Sequence, residues 1–252
     1  NIPIKLELGH LLRKAFVPSS DEYIFADGDY SQIELRVLAH LSKDETLINA
    51  FKNGEDIHRL TASQAFNIPL EEVTPLQRQN AKAVNFGIVY GISAYSLSQD
   101  LHITRAEAQR YIDGYFERYP NVKVFLNDCV KFAEEKGYSV TMYNRIRHIP
   151  EISAGNFNLR AFGERVAMNA PVQGTAADII KIAMVKIWKR MKEEGLKSRL
   201  VLQVHDELLI EAHISEVDYV NKMLKEEMEK AAELLVPLSV DVHNGSNWYE
   251  VK

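Results

Sequence analysis

The sequence predicts an α+β fold: a small antiparallel β-sheet whose strands come from both ends of the chain, interrupted by a long helical insertion. Three observations carry this expectation. Short apolar runs stand near the N-terminus, at Tyr23-Ile24-Phe25-Ala26, and near the C-terminus, at Leu200 to Val204 and Leu208 to Ile210. Between them lie long stretches with helical periodicity and recognisable start and stop signals. No repeat or low-complexity tract interrupts the pattern, and no apolar run reaches the roughly 18 residues that would announce a membrane span.

Taken in order, Tyr23 to Ala26 reads as a buried strand opening into an acidic turn at Asp27-Gly28-Asp29. A helix begins near Pro75, with Thr74 as N-cap, Pro75 at the first helical position and Gln77 placed to close a capping box, and it runs to about Gly91. Ala106 to Arg118 and Val122 to Lys136 read as amphipathic helices, stopped by Tyr119-Pro120 and by Gly137. A further helix is expected to start at Thr175 and end at Gly195, with Asn169 and Gln173 before it as turn and cap residues, and a last one to span Glu216 to Leu235. Leu200 to Val204 and Leu208 to Ile210 form a tight hairpin with His205-Asp206-Glu207 at its tip, and the alternating Leu238 to Val242 closes the sheet.

With 252 residues, 46% of them hydrophobic, the chain can form one large domain or two lobes with separate cores. Its 30 Lys+Arg against 35 Asp+Glu, a formal charge of -5, exclude a uniformly basic nucleic-acid binder, so any polyanion site must be local. Cys129 is the single cysteine and has no partner for an internal disulfide or a Cys-based zinc site. With no apolar signal core after Asn1, a soluble, cytoplasmic protein without membrane partners is expected, and a start on Asn suggests a piece of something longer.

Two acidic clusters, Asp29 and Asp206-Glu207, are distant in sequence yet each ends an apolar strand. Crowded carboxylates repel unless a divalent cation neutralises them, and oxygen-only ligands suit Mg2+ or Mn2+. Two such metals can activate an attacking oxygen and stabilise a leaving one in phosphoryl transfer. The alternative is that Asp29 caps a helix and Asp206-Glu207 is a solvated turn. Asp27, two residues before Asp29, would share its strand face and is read as capping local backbone. On the capped helix, Arg78, Lys82, Phe86 and Tyr90 recur at four-residue spacing, a row of about 18 Å on one drifting face. Like charges four apart do not stabilise a helix, so the row suggests an external anion, a triphosphate gripped by two cations with its base and sugar near Phe86. Alternatively, Phe86 and Tyr90 enter the core beside Val84 and Ile88.

Asp29-Tyr30-Ser31-Gln32-Ile33-Glu34-Leu35-Arg36, the stretch RQNAKAVNFGIVYG from Arg78 to Gly91, and Val204-His205-Asp206-Glu207 resemble motifs A, B and C of the bacterial DNA polymerase I family, in that order. The resemblance extends to Asn1-Ile2-Pro3, Asp56-Ile57-His58 and Asn169 to Asp178, and so covers nearly the whole chain. It implies a right-hand polymerase fold without its thumb: a palm on a small antiparallel sheet and a helical fingers subdomain. The palm is then expected over 1–40 and 156–252 and the fingers over 41–155, with the motif B helix at about 75–91.

The resemblance further implies that Asp29 and Asp206 bind two Mg2+ ions, Mn2+ being possible, with Glu207 as a supporting acid. Arg78 and Lys82 would grip the incoming triphosphate, His58 would add a phosphate contact, and Phe86 would stack on sugar and base, discriminating against dideoxynucleotides. Glu34 would be the steric gate that excludes a ribose 2′-hydroxyl, and Tyr90 would stack at the templating position. Arg165, Asn169, Gln173 and His205 would line the primer terminus and the minor groove of the nascent pair, where acceptors are nearly sequence-independent. Arg145 to Arg147 resembles a template-contacting loop. Implied partners are primer-template DNA and deoxynucleoside triphosphates, handled by a monomer. Fingers closure on a correct pair would supply part of fidelity.

The family carries a thumb and a Thr-Gly-Arg segment ahead of the position of Asn1, so this stretch alone is expected to hold primer-template DNA weakly. Three rival readings differ in class: a phage-type single-subunit RNA polymerase, against which Glu34 and Phe86 speak; a non-catalytic nucleotide- and metal-binding module; and a metal-dependent nuclease, which leaves the basic-aromatic helix unexplained.

Overall fold

The computed structural model describes residues 7–251; Asn1-Ile2-Pro3 lies outside them. Along the chain run α1 (Glu7–Leu12), β1 (Tyr23–Tyr30), α2 (Ile33–Ser42), α3 (Glu45–Lys52), α4 (Ile57–Phe66), α5 (Pro75–Val89), α6 (Ala94–Leu101), α7 (Arg105–Arg118) and α8 (Pro120–Lys136). There follow β2 (Tyr138–Val140), β3 (Ile146–His148), α9 (Phe157–Glu193), β4 (Arg199–Val204), β5 (Glu207–His213), α10 (Val217–Glu229) and β6 (Val240–Gly245). The fold is α+β, and it divides into two compact units: a sheet unit with the chain up to Ile33, Ala177–Glu233 and the stretch from Leu238, and a helical unit of Glu34–Ala176 with Leu234–Pro237.

In the sheet unit the order is β4-β5-β1-β6, every neighbouring pair antiparallel. β5 is a central strand buried over Glu207 to Ala212, which is why its apolar run is continuous rather than alternating. β1 shows the alternation that a strand imposes. On one face, Tyr30 Oη donates to the Met228 carbonyl at 2.7 Å, and Gly28 lets α10 press in: a Cβ there would lie 2.8 Å from Met228 Sδ and 2.9 Å from Leu224 Cγ. On the other, Phe25 packs with Leu209, Trp248 and Val251. The acidic turn expected after Ala26 is therefore strand: β1 continues through Asp27, Gly28 and Asp29 to Tyr30 because it is paired on both edges.

The helical unit shows why Thr175 does not start a helix. α9 is one helix of 37 residues with Pro171 inside it, and Asn169 and Gln173 are helical rather than turn residues. Proline removes an N–H and leaves the carbonyl four residues earlier without its helical donor. That carbonyl, of Ala167, instead accepts a long 3.4 Å hydrogen bond from Ser139 Oγ on β2. Two further contacts seat the β2–β3 hairpin on the helix: the Met142 N–H donates to Thr175 Oγ1 at 3.0 Å, and Gly174 admits the turn so closely that a Cβ would fall 2.6 Å from Thr141 Cγ2. The buried Ala167, Ala170, Val172 and Ala176 complete its inner face in this unit.

α10 ends at Glu229, earlier than the expected Leu235, and β6 is displaced toward the C-terminus from the expected 238–242. The Thr74-Gln77 capping box behaves as read, a second one not expected from the sequence joins Thr104 to Glu107, and Gly137 closes α8 at φ 76°. Among the described residues no helix is long and apolar enough to cross a membrane. Gly28→Ala is expected to lower unfolding free energy by about 1–3 kcal/mol through overpacking against α10, read as a shifted urea midpoint at unchanged m-value.

Candidate active site

The acidic residues converge at one end of the sheet unit. β4 and β5 are joined by the two-residue turn His205-Asp206, with Val204 paired to Glu207 and His205 at φ 52°, a left-handed conformation that hairpin turns demand of their first central residue. Gln203 Nε2 braces this turn on the His205 carbonyl at 2.8 Å. The turn is hooked onto β1, because the Tyr30 N–H donates to the Asp206 carbonyl at 3.2 Å. Asp29, next to Tyr30, is register partner of Glu207 on one side and of Asp241 on the other. Asp29 and Asp206 are half-buried, Asp27 and Glu207 buried, and His205 exposed.

These acids do not play one part. Glu207 is 3% exposed and its Oε1 accepts the Trp248 Nε1–H at 3.2 Å, so its carboxylate is held by the core cluster of Phe25, Leu209, Trp248 and Val251. Asp29 and Asp206, half-buried at the same sheet end, are carboxylates that could hold a cation. Among the described residues no set of three His, Cys, Asp or Glu is arranged as a closed metal cage. Two carboxylates in an all-oxygen setting fit Mg2+, which is commonly held by one or two carboxylates plus substrate phosphates.

The helical unit gathers the cations and aromatics. On α5, Arg78, Lys82 and Tyr90 are exposed and Phe86 half-buried, while Ala81, Val84, Asn85 and Ile88 face inward. Arg78, Lys82 and Tyr90 therefore lie outward, and Phe86 is only partly covered rather than buried like Val84 and Ile88. Asp56 caps α4, its Oδ1 accepting from the His58 and Arg59 N–H groups at 3.1 Å, while its Oδ2 accepts from Arg78 Nε at 2.6 Å. Burial raises the Asp56 pKa, but the Arg78 hydrogen bond and the Arg59 N–H outweigh it and hold the carboxyl below its ordinary range. His58 is 2% exposed, its ring 5.9 Å from the Phe86 ring and its Nδ1 2.9 Å from Asn85 Nδ2. Lys82 Nζ lies 6.0 Å from the Phe86 ring centroid.

Also in this unit, the Tyr90 hydroxyl donates to Glu34 Oε2 at 2.8 Å, joining the end of α5 to the first turn of α2. Arg165, Asn169 and Gln173 fall at four-residue spacing along one side of α9, the first and last exposed and Asn169 half-buried with its Nδ2 lacking a hydrogen-bond partner. Sequence reasoning missed two residues here. Asp56 carried a signal as a cap before Ile57, and Asn85 carried one as a polar residue on the apolar face of α5.

Comparison with known proteins decides the family, since the model for DNA polymerase family A matches residues 1–250. The chain belongs to DNA polymerase family A. Its relatives in that family include the DNA polymerase I of Caldicellulosiruptor bescii, 55% identical over 252 residues, and that of Bacillus subtilis, 54% identical over 252 residues. Both alignments cover 100% of this chain, but 30% and 29% of the relatives, so the chain spans less than a third of their length. Among solved structures, the POL domain of Pol1 from M. smegmatis, in complex with DNA primer-template and dNTP, superposes with a TM-score of 0.94 at 45% identity, covering 100% of this chain and 44% of that one.

In this family A chain the electrostatics of His58 are measurable. Burial, reinforced by Arg78 and Lys82 and opposed by Asp56, lowers its pKa to about 4. The unfolded chain, with an ordinary histidine near 6.5, then binds more protons between pH 4 and 6.5 than the folded one, so stability is full above pH 6.5 and falls as the pH drops through that window. His40, also depressed by burial and then by Lys43, adds to the same slope. Urea titrations at pH 7 and pH 4.5 are expected to show an acid loss smaller in His58→Gln than in the parent, by on the order of 2–3 kcal/mol.

Proposed function

We propose that this chain is the palm and fingers of a template-directed DNA polymerase, adding deoxynucleotides to a primer 3′-hydroxyl with release of pyrophosphate and acting as a monomer. The observation that carries this reading is the hook between β1 and the β4–β5 turn, which holds Asp29 and Asp206 at one sheet end in a family A fold. The palm is assigned to 1–40 and 156–252 and the fingers to 41–155.

Asp29 and Asp206 would hold two Mg2+ ions, or Mn2+, which when bound neutralise charge on the attacking and leaving oxygens. The rest follows from the chain's own side chains. Glu207, its Oε1 bonded to the Trp248 indole, serves beside Asp29 and Asp206 as a supporting acid. Arg78 engages Asp56 through Nε, so its forked Nη1 and Nη2 are the donors suited to phosphate, and Lys82 adds a point charge one turn on. Phe86 supplies a face for base and sugar. Glu34, steadied by the Tyr90 hydroxyl, fills the space a 2′-hydroxyl would need, and Tyr90 stacks at the templating position. Arg165, Asn169, Gln173 and His205 offer donors to minor-groove acceptors common to all base pairs.

Single-nucleotide extension of a labelled primer, at high protein concentration with Mg2+, tests the reading. Asp206→Ala should lower the rate roughly a thousand-fold, and extension that survives this change would sink the proposal. In the same assay Glu34→Ala should raise ribonucleotide incorporation relative to deoxynucleotide at least about ten-fold, a 1.4 kcal/mol change in discrimination. Preferential ribonucleotide use by the unaltered chain would favour the RNA polymerase alternative.

A further inference from the structure

Among the buried residues of α5, Ala81, Val84, Asn85, Gly87, Ile88 and Val89, Asn85 alone is polar, and it is 0% exposed. A buried amide is costly unless it is used. Its Nδ2 stands 2.9 Å from Nδ1 of the equally buried His58. An amide nitrogen only donates, so Nδ1 accepts, and the neutral ring carries its proton on Nε2. Asn85 Oδ1 has no hydrogen-bond partner and is buried. Turning the amide over would satisfy that oxygen from Nδ1–H but strand the N–H groups of Nδ2 instead. Buried orphan N–H groups are rarer than under-satisfied carbonyls, so the orientation that leaves the proton on Nε2 is preferred.

We propose that Asn85 is a positioning residue: it fixes His58 as the Nε2–H tautomer, so that the imidazole offers a triphosphate a neutral N–H donor beside the cations Arg78 and Lys82. The inference rests on the reading of His58 as a phosphate contact. It also gives a reason for a histidine rather than a third lysine. Arg78 and Lys82 already repel one another across one helical turn, and Asp56 supplies a single counter-charge. A neutral donor adds a hydrogen bond without adding to that repulsion.

The test is a long-range proton–nitrogen correlation spectrum of the histidine rings in this chain at pH 7, with His58 assigned through His58→Gln and inorganic tripolyphosphate as the probe. The unaltered chain should show His58 protonated at Nε2 alone, and tripolyphosphate should shift that resonance. In Asn85→Leu, of similar size, the ring should exchange between tautomers and bind tripolyphosphate about five-fold more weakly. In Asn85→Asp the carboxylate accepts from Nδ1–H, so Nδ1 should become protonated; this variant carries the test if circular dichroism shows Asn85→Leu unfolded. A native ring protonated at Nδ1, a resonance indifferent to tripolyphosphate, or an unchanged tautomer in the folded variants would overturn the assignment. Primer extension is read separately: its absence alongside the expected spectra, even with the family's upstream thumb segment supplied, would remove the polymerase reading and leave the role of Asn85 standing.

Discussion

Across the β1–β5 pair, Asp29 stands directly opposite Glu207, a juxtaposition of like charges that an antiparallel ladder ordinarily penalises. The fold resolves it by giving the two carboxylates different surroundings. Glu207 is drawn into the apolar cluster and bonded to the Trp248 indole, while Asp29 stays half-buried beside the hooked turn that carries Asp206. Gly28 and Tyr30 hold the opposite face of β1 against α10, so the strand cannot turn to relieve the crowding. Two neighbouring carboxylates are thus kept in different settings at one end of the sheet, Glu207 in the core and Asp29 half-buried beside Asp206.

In the helical unit, magnitudes separate what is fixed from what can yield. The Arg78–Asp56 pair, with side chains 46% and 35% exposed, belongs to a class worth roughly 0–1 kcal/mol, so a polyanion can compete for Arg78 at little cost. The His58–Asn85 contact is buried, and breaking it strands polar atoms out of water at roughly 1–3 kcal/mol each. The Arg78–Asp56 pair can therefore rearrange at little cost, while the His58–Asn85 contact is held.

The fold class was legible because its signals are local. Apolar runs, the Thr74-Pro75-Gln77 cap and the Gly137 stop each depend on a few adjacent residues, and the structure keeps them. The errors came where a distant partner overrides the local rule. Thr175 reads as a helix start with Asn169 and Gln173 before it as turn and cap residues, and contacts from Ser139, Thr141 and Met142 on the hairpin support the helix where it instead runs on through Pro171. Asp27-Gly28-Asp29 reads as a turn, and only pairing on both edges makes it strand. At the site, the spacing of Arg78, Lys82, Phe86 and Tyr90 was visible, but their balance of charge was not, because Asp56 acts from another helix and Asn85 from the inner face.

The substitution of a serine hydroxyl for a missing backbone donor makes α9 depend on a hairpin that precedes it in the chain. Without β2, the Ala167 carbonyl would face solvent or go unsatisfied, and the helix would tend to part at Pro171 into two shorter ones. During synthesis Ser139 leaves the ribosome before either Ala167 or Pro171. The stretch that supplies the missing donor to the long helix is thus already made when its defect emerges.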